Sequence, residues 1–172
     1  MDSKQNRGLI PLLERINVAI GRATAWLTLV MVITTFVIVV LRYAFDLGWI
    51  WLQETVTWMH AAVFMLAAAY TLARDEHVRV DVFYRNFSPE KKAVVDALGA
   101  ALFMLPVCGF LLWTSWDYVS VSWSIREGSR EAGGLVFPWP SILKSFIPLL
   151  ALMLIAQALV MLANSIARLR SH

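Results

Sequence analysis

The stretch ATAWLTLVMVITTFVIVVL, Ala23 to Leu41, decides the fold class, because it carries no charged residue. It supplies about the 20 apolar positions that one α-helix needs to cross a hydrocarbon core. The run is too long, and its upstream flank too polar, for a cleaved signal peptide, and no small-x-small cleavage site follows it. It reads as an uncleaved signal anchor. Upstream, Ile10 to Arg22 (IPLLERINVAIGR) sets Leu12, Leu13, Ile16, Val18 and Ile20 beside Glu14, Arg15, Asn17 and Arg22. That mixture fits either a short helix lying in the headgroup layer or a helical extension of the first span.

Downstream, Trp51 to Leu72 (WLQETVTWMHAAVFMLAAAYTL) is a second span, apolar except for Glu54 near its start and His60 further in. Its alanines (Ala61, Ala62, Ala67, Ala68, Ala69) suit close helix packing, which in lipid must come from van der Waals contact. A third span runs from about residue 93 to 118. Ser88-Pro89-Glu90 opens it with a capping hydroxyl, a proline at the first helical position and an acid in the first turn. Pro106 is expected to kink it where a backbone hydrogen bond is lost. A fourth span covers residues 142 to 163, with Lys144 in its first turn, Pro148 inside and Gln157 mid-span. The expectation is one all-α integral membrane domain over 1–172, with four transmembrane helices at about 23–41, 51–72, 93–118 and 142–163. An inner loop covers 73–92 and an outer loop 124–140.

Composition agrees. Residues of the set AVILMFWYC make up 59% of the chain and charged residues 16%, against about 45–50% and 25% in soluble domains. Cys108 stands alone in an apolar stretch and reads as a small core residue. The net charge of +3 is spread over several segments, with no basic tract for nucleic acid. Placing both ends and the middle loop on one side gives that side Lys4, Arg7, Arg15, Arg22, Arg74, Arg79, Arg85, Lys91, Lys92, Arg168 and Arg170. The other side keeps only Arg42, Arg126, Arg130 and Lys144, so the positive-inside rule puts both termini in the cytoplasm. Trp49, Trp51, Trp116, Trp123 and Trp139 then gather near the outer ends of the spans, as an aromatic belt would. The outer loop SIREGSREAGGLVFPWP balances Arg126 and Arg130 against Glu127 and Glu131, and suits either a docking surface or a mobile connector.

Few residues offer chemistry. Glu54 is an ionisable group in a span, a functional hypothesis by default, yet it lies about a turn from the outer interface, within reach of water or of Arg42. Structural or subunit-contact use outweighs proton coupling. His60 sits deeper, but a two-His haem would need a second His at matching depth, and His77 and His172 fall at the inner boundary and in the tail. A hydrogen-bonded His between helices is the better reading. In DEHVRVD, Asp75 to Asp81, His77, Arg79 and Asp81 alternate with Val78 and Val80, which suits a solvated loop or a clamp on a partner or lipid headgroups. One His with scattered acids does not make a metal site. The chain holds no GxxxxGK[ST], GxGxxG after a strand, HExxH, CxxC or serine elbow, so no catalytic, cofactor or metal site is assigned and an enzyme is not expected.

Taken in order, Arg42-Tyr43 closing the first span, Trp51-Leu-Gln-Glu54 opening the second, Trp58, and His77-Val-Arg-Val-Asp81 after it resemble the small membrane subunit (Q-type) of TRAP, the tripartite ATP-independent periplasmic transporters. The resemblance covers nearly the whole chain. The string Glu127-x-Ser129-x-Glu131, with Lys144 and Gln157, looks most like the mannitol, chloroaromatic or 2-oxo-acid branch. Late in the second span Ala or Leu takes the place of a glycine often found in the family. The resemblance implies a helper in the bacterial inner membrane. A separate large subunit would carry the substrate and sodium sites, and a periplasmic binding protein would deliver an organic acid. The small subunit would brace the large one among membrane lipids and help dock the binding protein. On that basis Arg42, Glu54, Trp58, His60, His77, Arg79 and Asp81 are candidates for bundle or subunit contacts. Glu127, Arg130 and Glu131 are candidates for the binding-protein side. The rival readings are a stand-alone proton-coupled exporter, disfavoured by the uncharged first span, and a membrane anchor of a redox complex.

Overall fold

A computed structural model describes residues 9–73, 84 and 86–170. It contains four helices long and apolar enough to cross a membrane. The first, α1 (Leu9–Phe45), is one unbroken helix, so the segment after Leu9 extends the first span and is not a separate interfacial helix. Its apolar part contains hydroxyls that bond back to the preceding turn: Thr34 to the Val30 carbonyl and Thr35 to the Met31 carbonyl, both at 2.8 Å. These bonds let threonine face a solvent that offers no partner. Arg42 lies in the last turn, where a cation meets the negative end of the helix. Asp46, in the left-handed region at φ 55°, ends the helix, and the Leu47 N–H then donates to the Leu41 carbonyl at 3.0 Å.

The second helix, α2 (Ile50–Ala73), returns antiparallel to α1. Their closeness is visible at Gly21, where an added Cβ would overlap the Tyr70 side chain. The third, α3 (Pro89–Ser124), starts with the anticipated cap: Ser88 accepts from the Lys91 N–H, with proline in the first turn. Ahead of Pro106 the ladder changes form, with a π turn over Ala100–Met104 between α-helical stretches Pro89–Gly99 and Leu105–Ser124. A π turn is one way a helix accommodates a ring that clashes with the carbonyl four residues back. The fourth helix, α4 (Trp139–Arg170), runs through Pro148 without breaking.

This last helix is the axis of the bundle, packing against α1, α2 and α3. Its buried positions are small or slender: Ser141, Pro148, Ala151, Met153, Gln157, Ala158, Val160 and Ser165. Ala62 and Ala69 of α2 and Ala93 and Ala100 of α3 are likewise buried. Small residues inside and large ones outside (Trp26, Phe36, Phe103, Phe110 and Trp113 are all exposed) is the arrangement expected when lipid is the outer solvent. The α1–α2 turn and the α3–α4 loop meet at one end, so Leu9 and Arg170 lie at the other.

Candidate functional site

At the end where the turn and loop meet, a short loop is fastened onto the start of α2. The first turn of a helix has N–H groups with no partner inside it, and Trp51 donates its own to the Gly133 carbonyl at 3.1 Å. One turn on, the Glu54 carboxylate accepts from the Ser129 hydroxyl and, at 2.6 Å, from the Leu135 N–H. The loop also closes on itself: Ser129 N–H to Leu135 carbonyl at 2.7 Å, Glu131 N–H to Ser129 Oγ at 3.1 Å, and Gly134 N–H to Glu131 carbonyl at 3.0 Å. Two glycines make this geometry accessible. Gly133 has φ 79°, and a Cβ on Gly134 would stand 2.7 Å from Glu54 Oε2.

The other side of the loop is tied to α4. Lys144 Nζ meets Glu127 Oε2 at 2.5 Å and lies 4.2 Å from the centre of the Tyr118 ring. Hydrogen bonds from Lys144 and then Ser122 hold the Glu127 carboxyl below its ordinary value. Behind this pair, the buried Ser122 and Ser141 hydroxyls are 3.0 Å apart, and the Trp123 indole donates to Ser145 at 3.0 Å. Trp58 of α2 packs edge-on to Trp139 and against Phe146 of α4. Between loop and helices a cleft of about 270 Å³ is lined by Glu54, Thr57, Trp58, Arg130, Leu135 and Leu143 among others.

Of the residues singled out in the sequence, this end therefore unites Glu54, Trp58, Glu127, Arg130 and Glu131. Glu54 does not take Arg42 as its partner; the loop outcompetes it by presenting a hydroxyl and an N–H. Arg42 instead lines a separate cleft with Asp46 and Gln53. Glu127 is engaged by Lys144, while Arg130 and Glu131 are exposed on the rim. His60 is not between helices of this chain; it is exposed on α2. His77, Arg79 and Asp81 lie outside the described residues. Two features went unread in the sequence. Tyr84 donates to Asp96 at 2.9 Å, near the start of α3, and Asp117 is exposed on α3 among Trp113, Trp116 and Tyr118. A lone acid in an apolar run was the available signal for Asp117.

The chain is a four-helix, multi-pass membrane protein in which charges near one end of the bundle hold the 125–138 loop. Residues 31–168 match the family described as tripartite ATP-independent periplasmic transporters, DctQ component, and the chain belongs to that family. It is thus the small membrane component of a TRAP transporter and not an enzyme. Over 88 residues it is 32% identical to the C4-dicarboxylate TRAP transporter small permease protein DctQ of Vibrio cholerae serotype O1. That alignment covers 51% of this chain and 38% of the relative, so the chain spans well under two thirds of the relative's length. No solved structure gives a significant match.

Proposed function

We propose that the chain serves as the helper of a sodium-coupled transporter for organic acids, bracing the scaffold of a large membrane subunit in the bacterial inner membrane. Both termini lie in the cytoplasm on this reading, which the eleven-to-four distribution of Lys and Arg supports. The observation that carries the proposal is the fate of the charges at the outer border. Glu54 and Lys144, the acid and base set inside the ends of their helices, are both engaged in holding one loop. A carboxylate committed to a hydroxyl and a backbone N–H is a structural fixture, where a transport acid would need to exchange protons or ions. The loop then offers Arg130 and Glu131 to the periplasm, where a binding protein carrying the cargo docks. The cargo class follows the C4-dicarboxylate named for the Vibrio relative, or the 2-oxo acid suggested by the loop string.

Glu54→Ala tests this reading. Complex yield with the large subunit is expected to fall, with the apparent sodium and substrate affinities of the surviving complex unchanged. Normal assembly with a selective loss of ion coupling would sink the helper role.

A further inference from the structure

Two faces of α2 are covered by α1 and α4. The remaining face carries Gln53, Thr57, His60 and Phe64, all exposed, at spacings of four, three and four residues that align them in one stripe. His60 is ten residues into the helix from Ile50, roughly 15 Å along its axis, about the middle of a hydrocarbon core. Neither the Gln53 amide nor the His60 ring makes a side-chain hydrogen bond among the described residues. The outward face of α1 differs, showing Trp26, Leu29, Ile33 and Phe36, and α3 shows Phe103, Phe110 and Trp113 before the exposed Asp117, seven residues from its Ser124 end. Acyl chains solvate the apolar side chains well. They offer the imidazole of His60 nothing.

We infer that this stripe is the seat of a transmembrane helix of the large subunit, one that places a hydroxyl or amide side chain at the depth of His60. The inference rests on the helper reading above and adds the face through which it operates. A neutral imidazole has one donor and one acceptor, so a single Ser, Thr or Asn opposite it satisfies either. Continuity argues for this occupant. Gln53 and Thr57 also line a cleft with Ile50, Glu54 and Glu131, so a helix seated on the stripe runs straight up to the outer loop and bears on the brace that Glu54 builds. A second copy of this chain, related by a two-fold axis along the membrane normal, would instead set two Glu131 carboxylates at one height beside each other.

The test is photo-crosslinking in native membranes of cells making the whole transporter. A photoreactive residue is placed at Gln53 or His60 and, as controls on apolar surface, at Phe36 or Phe103. Adducts with the large subunit, identified by mass spectrometry, are expected from positions 53 and 60 and not from 36 or 103. His60→Leu should lower the co-purified large subunit roughly three- to tenfold, the worth of one interhelical hydrogen bond in a membrane, with the yield of this chain unchanged. His60→Asn should restore part of it. Adducts with the large subunit from 36 or 103 alone would overturn the face while leaving the helper reading intact. Adducts between two copies of this chain from position 60 would overturn the choice of occupant. If the large subunit neither crosslinks from any position nor co-purifies with the unaltered chain, the helper reading falls and this inference with it.

Discussion

Glu54 is the residue around which the loop end of the bundle is organised, and its worth depends on what it accepts. Hydrogen bonds to a charged group contribute about 1.5–3 kcal/mol each, and Glu54 accepts one from a hydroxyl and one from an N–H. Glu54→Ala should therefore free the 125–138 segment, read as faster cleavage there by an added protease, by roughly tenfold or more. Gly134→Ala should give a similar result by pushing Ser129 and Glu54 apart. The two changes should not add, because both break one contact; a double-mutant cycle checks this. Glu127 gives a pH signature. Its folded-state pKa is lowered, so its contribution is complete above the ordinary carboxylate value and is lost as pH falls through the lowered one. Protease cleavage of the loop should rise on acidification through that window, and Glu127→Gln should flatten the response. The position of Glu54 was legible in the sequence as an acid near the start of its span. Its partners were not, because they lie 75 and 81 residues away along the chain and one is a backbone N–H with no side-chain signature.

Among the elements, hydropathy located all four helices because lipid enforces long uncharged runs. It did not show how far each helix extends beyond its apolar part. The two alternatives for the segment before the first span differ in tertiary course and not in amphipathic pattern, and α1 continues straight through it. Pro106 marked a disturbance in α3, yet a π turn upstream of it is a backbone choice that the proline only invites. Small residues give sharper predictions here. Gly21→Ala places a Cβ into Tyr70, so it should separate α1 from α2 and cost about 1–3 kcal/mol in detergent unfolding. Gly109→Ala, on α3 with open space around the added atom, should be neutral or stabilising by up to about 1 kcal/mol. Equal losses from both substitutions would contradict the packing of α1 on α2.

For the whole molecule, the described residues present apolar surface to lipid, a polar stripe on α2, the exposed Asp117 on α3, and a loop fastened at one end. The central claim is that this component acts beside a large transport subunit, and co-purification measures it most directly. The chain is tagged at its C-terminus and extracted from native membranes in mild detergent, and its companions are identified by mass spectrometry. The account predicts a large polytopic TRAP subunit in near-equal amount. Recovery of this chain alone, as a homo-oligomer, would contradict it and return Glu54 to consideration as a transport residue.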